Sequence, residues 1–275
     1  MAILMTACGA CGSSGSAPPS PARALRVVSL TPSATEVVAA LGATELLVGV
    51  DDYSTYPASV QGLPKVGSFL SPNLETIVGL KPSLVIVDDV HGQTAGALGD
   101  ARIETLECAM HALPDVKHAL VAVGTRLGRP AEAAAVVASI DAALDAAAAH
   151  KPARHPRVLA IIDREPGGLG NLVAAGTGSW VDELLAVVGA DNVLVAAPVR
   201  YPKISLEEVL RAQPEVILDL SFAGKAGIDA WRDVDVPAVK AGHVIALGDA
   251  YLTAPSPRVA AALAVLAKAI AIDVR

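Results

Sequence analysis

The sequence predicts an α/β fold of two Rossmann-like lobes with parallel sheets, joined by one long rigid helix, with a ligand cleft between them. Three observations predict it: a helix–strand segment occurs twice, a strand–helix segment occurs twice, and a long glycine-free segment separates the copies. Strands that alternate with helices form parallel sheets covered by helices. The predicted parts are a tether at 1–24, a first lobe at 25–129, the linking helix at 130–152 and a second lobe at 153–275.

The first repeated segment is a short helix followed by a buried strand. Residues 73–82 recur as residues 205–214, an offset of 132 residues (205 minus 73). Asn73 and Ser205 are typical N-cap residues, and the glutamates behind them stand in the first turn, where the helix dipole favours negative charge. An apolar run rich in β-branched residues follows each copy, as expected of a buried parallel strand.

The second repeated segment is a strand followed by a helix. Residues 26–30 match residues 157–161 as apolar strands, and residues 36–43 match residues 183–190 as helices that end at a glycine. Because both repeated segments occur once on each side of residues 130–149, each side is predicted to form a lobe of its own.

Two further helices are predicted outside the repeats. Residues 130–149 contain no glycine, have proline only at the start and are rich in alanine, which predicts one helix about 30 Å long. A helical connector acts as a strut, whereas a Gly/Ser linker would act as a hinge. Residues 256–272 predict a closing alanine-rich helix.

Composition excludes several classes of protein. The chain has 275 residues, a formal net charge of -7 and no run of lysines or arginines, so it offers no basic face for nucleic acid. Hydrophobic residues make up 53% of the chain, but alanine and valine supply most of them. No apolar stretch reaches the ~18 residues that a transmembrane helix needs.

The N-terminal segment resembles the end of an export signal. An apolar stub ends at Cys8 and is followed by a Gly/Ser/Pro-rich tether, a pattern similar to a bacterial lipoprotein cleavage site. Cys8 is therefore the predicted lipidation site, and a disordered tail is the alternative. The remaining cysteine of the folded part, Cys108, is predicted to be a buried core residue.

The few aromatic residues predict where a ligand binds. Ligands of parallel α/β lobes bind beyond the carboxyl ends of the strands, and five of the eight aromatics stand in loops there. Phe69 precedes Glu75 by six residues, and Tyr201 precedes Glu207 by six, so each lobe supplies one ring and one carboxylate. The alternative is that the rings pack loops onto the core, and for Tyr56 both interpretations stay open. The predicted ligand-binding residues are Tyr53, Phe69, Tyr201 and Tyr251.

Glu75 and Glu207 have two interpretations. Each is a favourable first-turn charge of a helix. Their equivalence in the two lobes also predicts a pair of exposed carboxylates that binds arginines of a partner with pseudo-twofold symmetry.

The sequence does not indicate an enzyme. The six histidines show no metal-ligand spacing, so no metal site and no cofactor are predicted. The glycine-rich segment 166–170 matches neither a phosphate-binding loop nor a dinucleotide fingerprint and is interpreted as a cleft loop. No serine has the surroundings of a nucleophile, and no carboxylate pair flanks a reacting centre.

Five segments of the chain carry a family resemblance: RVVSLTPSATE at 26–36, VGVDDYSTYP at 48–57, NLETIVGLKP at 73–82, WVDELL at 180–185 and PSPR at 255–258. Together they resemble the cobalamin-type periplasmic binding proteins, which belong to the iron-chelate and cobalamin receptors of ABC importers. The resemblance implies a chelate held between two lobes, one glutamate of each lobe docked on the membrane permease, and aromatics that line the cleft. Glu75 and Glu207 stand at the docking positions.

The ligand predicted first is cobalamin or a related corrinoid, because the cleft loops offer several aromatics and few cations. A haem or a ferric siderophore is the alternative, with Arg164, Arg200 and Lys203 as cations for an anionic ligand. A rival of another class is a two-lobed α/β enzyme such as a chelatase. The predicted partners are a permease dimer with its ATPase and a small-molecule metal chelate. The protein itself is expected to be a monomer in the periplasm or at the cell surface, held on the membrane only by its lipid anchor.

Overall fold

The computed structural model describes residues 25–195, 199–221 and 225–271, with the side chains of 225–227 also excluded. The tether and Cys8 lie outside the described residues. Among the helices that are described, none is both long enough and apolar enough to cross a membrane.

The first lobe is a parallel sheet with helices on both faces. Its four-stranded sheet has the order β2-β1-β5-β6, and all of its neighbouring strands run in parallel, as predicted. A small antiparallel hairpin, β3 with β4, stands outside the sheet and leads into α2. The elements of this lobe are β1 (Val27–Ser29), α1 (Pro32–Ala40), β2 (Leu47–Val50), β3 (Gly67–Ser68), β4 (Ser71–Pro72), α2 (Leu74–Gly79), β5 (Leu84–Val87), α3 (Gly92–Asp100), β6 (Glu104–Glu107) and α4 (Leu113–Arg126).

The linking helix, α5 (Pro130–Ala149), covers the residues 130–149 predicted as one helix and ends before residues 150–152, which the predicted linker also included. Its buried residues Ala133 and Ile140 belong to a core that also includes residues of both lobes. The helix packs against α4 of the first lobe and against two helices that follow it in the chain. It therefore stands within the body of the molecule and is not an isolated rod.

The second lobe repeats the first with one change. The central strands β7, β11 and β12 are parallel, but β8 runs antiparallel to β7, so this sheet is mixed where a purely parallel one was predicted. Residues 166–170 lie in the connection between β7 and β8, and this tight return makes the pair antiparallel. The elements are β7 (Arg157–Asp163), β8 (Leu172–Ala174), α6 (Trp180–Val188), β9 (Asp191–Asn192), β10 (Lys203–Ile204), α7 (Leu206–Ala212), β11 (Val216–Asp219), α8 (Pro237–Lys240), β12 (Val244–Ala246) and α9 (Val259–Ile270).

The closing helix α9 begins three residues later than predicted. Arg258 is its N-cap residue, and the segment from Ser256 to Arg258 is an ordered loop. Two prolines flank Ser256, and Pro257 disfavours helical geometry at Ser256, the residue before it. Of the predicted range, Ile272 lies outside the described residues.

The repeated helix starts are confirmed. The side chain of Asn73 accepts a hydrogen bond from the backbone N–H of Thr76, and the side chain of Ser205 accepts one from that of Glu208. Glu208 completes a capping box by bonding back to the N–H of Ser205. The 132-residue offset of the sequence is therefore an offset between two structurally equivalent capped helices, α2 and α7.

The two sheets share one core. Along β1 and β5, residues alternate between opposite faces, so that Val27 and Leu84 join the core shared with the second lobe while Val28 and Val85 join a separate one. The shared core also contains α4, α6 and α9, which pack between the sheets. Cys108 is free and buried in this core, as predicted.

One ion pair joins the two ends of the described chain. Glu36 of α1 accepts hydrogen bonds from Arg258 and Ser256, including one of 2.8 Å from Arg258 Nε. The Arg258 guanidinium lies over the Tyr56 ring at 4.0 Å and over the Tyr251 ring at 4.4 Å. The PSPR and RVVSLTPSATE segments therefore meet in the fold, although 222 residues separate Glu36 from Arg258.

Candidate ligand-binding cleft

A cavity of about 400 Å³ opens where the two lobes face each other. Its walls come from loops that follow the carboxyl ends of strands, which is where α/β lobes bind ligands. From the first lobe they include Phe69, Asp88 and His111, and from the second Ile162 and Tyr201. A volume of this size accepts a drug-sized molecule, so a larger ligand would stand partly outside it.

A larger cavity of about 640 Å³ lies elsewhere, on the outer edge of the second lobe beside α7. Its walls come from this lobe alone, and they border residues 196–198, which are outside the described residues. The smaller cavity is the better candidate because both lobes contribute to it at their strand ends.

Phe69 is fixed in the cleft by a buried histidine. His91 Nδ1 accepts a hydrogen bond from the backbone N–H of Asp88 at 2.9 Å, so the ring proton is on Nε2. Nε2 then donates to the backbone carbonyl of Phe69 at 2.7 Å. The two rings also meet edge to face, with centroids 5.3 Å apart. His91 therefore holds both the backbone and the ring of Phe69, a role that the sequence did not reveal.

Tyr201 forms the facing wall from the second lobe. Its side chain is 38% exposed, and it stands two residues before β10 and five before α7. Burial raises the pKa of its hydroxyl, which keeps the phenol neutral. The cleft thus has one partly exposed ring from each lobe, at positions that the sequence repeat makes equivalent.

The other two predicted ligand-binding tyrosines lie outside the described cavity walls. Tyr53 is 67% exposed on the loop after β2. Tyr251 packs on Arg258, opposite Tyr56, and its backbone carbonyl accepts a hydrogen bond from Trp180 Nε1 at 3.1 Å. The next residues, from Thr253, do line the cavity. Contact of these two rings with a ligand stays a prediction.

An acidic cluster with a histidine lies on the cleft wall of the first lobe. Asp88 follows β5, His111 follows β6, and the two strands are neighbours in the sheet. His111 Nε2 lies 3.1 Å from both carboxylate oxygens of Asp89 and 3.9 Å from Oδ1 of Asp88. Ligand atoms of the three side chains lie within 4.8 Å of one another. The sequence could not reveal this cluster, because His111 and Asp89 stand 22 positions apart and only the pairing of β5 with β6 brings them together.

The two carboxyls of the cluster differ in their pKa. Burial, aided by the neighbouring Asp89, raises the pKa of Asp88 to about 6. The hydrogen bond with Asp88 lowers the pKa of Asp89, and the contacts with His111 lower it further. Asp89 therefore ionises at a lower pH than Asp88, and at neutral pH the pair carries negative charge.

None of the three cations considered for an anionic ligand lines the described cavity. Arg164 was considered as a cation for an anionic ligand, and this role is wrong. Its side chain is fully buried, and its Nε donates to Asp219 at 2.7 Å. Trp231 Nε1 binds the same carboxylate, which makes this pair part of the second-lobe core. Arg200 donates to the backbone carbonyl of Gly178, and Lys203 lies on the outer edge of the sheet.

Glu75 and Glu207 are exposed on the first turns of α2 and α7. Neither forms an ion pair within the described residues. Both also lie outside the cavity walls. The structure thus separates the two glutamates from the cleft.

Two α/β lobes that enclose a cavity at their strand ends define a ligand-binding protein of the two-lobed class. Residues 27–251 match the family model described as periplasmic binding protein. This chain belongs to that family. Members are substrate carriers and not enzymes, and they work in the periplasm with an ABC importer.

Individual relatives carry two kinds of name. The vitamin B12-binding protein of Vibrio cholerae is 28% identical over 244 residues, which cover 85% of this chain and 84% of that protein. That of Salmonella typhimurium is 31% identical over 207 residues, covering 74% and 73%. The apo structure of the periplasmic heme-binding protein RhuT from Roseiflexus sp. RS-1 has a TM-score of 0.80 and 31% identity, and covers 90% of this chain and 98% of that one.

Proposed function

We propose that this chain is the substrate-binding protein of an ABC importer that captures cobalamin or a related corrinoid and delivers it to the membrane permease. The observation that carries the choice of ligand is the cleft itself. It has a ring from each lobe, Phe69 and Tyr201, the carboxyl group of Asp88 on its wall, and no lysine or arginine among its described lining residues.

The charge of the cleft favours a neutral or cationic ligand. Haem carries propionate groups and many ferric siderophores are anionic, so both would meet like charge at Asp88, and the described lining holds no lysine or arginine to offset it. Aquocobalamin carries positive charge on its cobalt centre and cyanocobalamin is neutral. The aromatic rings suit either corrinoid, because rings bury much apolar area at little entropic cost.

The similarity to vitamin B12-binding proteins supports the same ligand. Haem remains the second candidate, and a specific observation favours it: a heme-binding protein shares the fold at a TM-score of 0.80 and 31% identity. The cleft of the present chain favours the corrinoid, since none of the three candidate cations is among its described lining residues.

Calorimetric and absorbance titrations of the purified protein with cyanocobalamin, aquocobalamin, haem and a ferric siderophore test the proposal. We expect binding of both cobalamins and weak or no binding of the anionic chelates. A protein that ignores the cobalamins and binds haem or the siderophore would overturn the corrinoid assignment and leave the family unchanged.

Docking on a permease dimer is proposed for the helices that carry Glu75 and Glu207. Both helices also expose apolar residues at equivalent positions of the repeat: Leu74 and Leu206 precede the glutamates, and Val78 and Leu210 lie one turn later. Two matched faces, each with an apolar pair around a carboxylate, fit a partner made of two equivalent subunits with arginines.

Lipid anchoring through Cys8 is the remaining proposal, and its support is the apolar stub and the Gly/Ser/Pro tether of the sequence. Replacement of Cys8 by serine should release the protein from membranes into the soluble fraction of the periplasm. Unchanged processing and unchanged partition into detergent would contradict it.

A further inference from the structure

Helix α1 begins at the wall of the cavity, and its first turn leaves one backbone donor without a partner among the described residues. Thr31, Pro32 and Ser33 all line the cavity between the lobes. The N-cap side chain of Thr31 accepts a hydrogen bond from the backbone N–H of Ala34 at 3.0 Å, and Pro32 has no N–H. The donor that remains at the start of the helix is therefore the backbone N–H of Ser33.

The side chain of Ser33 adds a second donor at the same point. Ser33 is only 8% exposed, yet its hydroxyl forms no hydrogen bond within the described part of the chain. The large majority of buried polar side chains have a partner, so one that lacks it and lines a cavity indicates contact with a ligand. The helix N-terminus acts in the same direction, because its partial positive charge favours an electron-rich oxygen in front of the first turn.

We propose that the first turn of α1 is the polar anchor of the cleft, where the N–H and hydroxyl groups of Ser33 donate hydrogen bonds to an oxygen at the edge of the bound ligand. The acceptor is a neutral carbonyl, because Asp88 lines the same cavity and no described lysine or arginine does. The inference rests on the proposed function: a corrin ring carries amide side chains around its edge, and their carbonyl oxygens are acceptors of this kind.

The second lobe has a different residue at the equivalent position. The strand–helix repeat matches residue 36 with residue 183, and it therefore matches Ser33 with Trp180. Trp180 is fully buried, and its Nε1 donates to the backbone carbonyl of Tyr251 at 3.1 Å. The aromatic rings of the cleft come one from each lobe, so apolar contact alone does not distinguish the edges of a flat ligand. A pair of donors on one lobe gives such a ligand a preferred orientation.

Calorimetric titration of Ser33 variants with cyanocobalamin, read beside their melting temperatures, tests the anchor. Ser33→Ala should weaken binding by roughly tenfold, the usual cost of one lost hydrogen bond to a neutral acceptor, at nearly unchanged melting temperature. Ser33→Asp should weaken it by roughly a further tenfold, because a carboxylate accepts and does not donate, while the dipole of α1 maintains the melting temperature. Ser139→Ala, at an exposed serine of α5, is the matched control and should bind as wild type does.

Dicyanocobinamide identifies the acceptor, because this corrinoid keeps the corrin amides and lacks the nucleotide with its phosphate. An equal loss of affinity in Ser33→Ala with this ligand supports a corrin amide as the acceptor. A loss seen only with cyanocobalamin would assign the anchor to the nucleotide and overturn the amide.

Other outcomes would overturn the anchor itself. If Ser33→Ala and Ser33→Asp bind cyanocobalamin as tightly as wild type, Ser33 contacts only water, and the corrinoid function still stands. If wild type binds neither corrinoid, the proposed function fails, and haem then tests the anchor. A roughly tenfold loss of haem affinity in Ser33→Ala supports the anchor with a propionate oxygen in place of the amide, and an equal haem affinity contradicts it.

Discussion

Asp88 is a buried acid at the cleft wall, and its ionisation links the stability of the fold to pH. Its pKa in the folded protein is about 6, above the ordinary value of 3.8. Folding therefore favours the protonated form, and the stabilisation is fully present below pH 3.8 and lost as the pH rises through about 6. The lowered pKa of Asp89 acts in a different window, because its stabilisation is lost only as the pH falls below 3.8.

Replacing Asp88 by asparagine should remove this loss. Between about pH 4 and pH 7, the free energy of unfolding of wild type should fall by on the order of 2–3 kcal/mol more than that of the variant. Urea unfolding at a series of pH values measures it. Asp52→Asn, an exposed carboxylate of the same lobe, serves as the control. Parallel pH profiles of wild type and Asp88→Asn would refute the linkage.

Phe69 and Tyr201 are the two aromatic residues of the cleft wall, and their truncation tests whether the rings contact the ligand. Truncating a buried aromatic anchor typically costs ~2 kcal/mol of binding or more, roughly a thirtyfold loss of affinity. We expect this loss in calorimetric titrations of Phe69→Ala and Tyr201→Ala with cyanocobalamin, at nearly unchanged melting temperature. Tyr251→Ala should instead lower the melting temperature, because this ring covers Arg258. An equal loss of affinity in Tyr251→Ala would add that ring to the site.

These residues also show what sequence can predict about a site. Phe69 and Tyr201 could be found because the repeat places each ring six residues before a helix glutamate, in a loop. His111 could not, because its partner Asp89 follows a different strand and only the β5–β6 pairing brings them together. The burial of Arg164 was also invisible, since a cation after a strand can point into a cleft or, as here, pair with a neighbouring strand's carboxylate.

Among the secondary-structure elements, the capped helices α2 and α7 are the clearest structural repeat. Their start signals are local: an N-cap side chain, an acidic first turn and a proline just past the end. Local signals of this kind were sufficient to predict these helices and the bounds of α5. The antiparallel direction of β8 was not predicted, because a short apolar run does not indicate whether a strand pairs in parallel or antiparallel.

The double variant Glu75→Arg with Glu207→Arg tests the role of these helices. We expect it to bind cobalamin as wild type does, because both side chains lie outside the cavity, and to abolish uptake in vesicles that contain the permease and its ATPase. The matched control is Asp145→Arg, a charge reversal at an exposed position of α5. Loss of cobalamin binding in the folded double variant would move the glutamates into the cleft.

At the scale of the whole molecule, the lobes are held together by more than the linking helix. The shared core passes from one sheet to the other through α4, α6 and α9. In addition, Glu183 of α6 accepts a hydrogen bond from the backbone N–H of Leu113 at the start of α4. The sequence predicted the linking helix α5 but not this continuous core, because contacts between elements far apart in the chain leave no local sequence pattern.

The ion pair between Glu36 and Arg258 joins residues that stand 222 positions apart in the chain, and its removal tests whether it supports the fold. The Glu36 side chain is only 10% exposed, so Arg258→Met leaves a buried charge without its partner, which typically costs about 3–5 kcal/mol of stability. Stacking on Tyr56 and Tyr251 is lost as well. We expect urea unfolding to show this loss, and cobalamin affinity of the folded variant to change little, because Arg258 does not line the cavity.

Two controls separate the ion pair from general effects of the substitution. Arg232→Met breaks an exposed pair with Asp229 and should cost about 0–1 kcal/mol. Adding Glu36→Gln to Arg258→Met should restore part of the lost stability, since the uncompensated charge is then gone. If Arg258→Met alone is about as stable as wild type, the ion pair does not stabilise the fold, and the shared core alone brings Glu36 and Arg258 together.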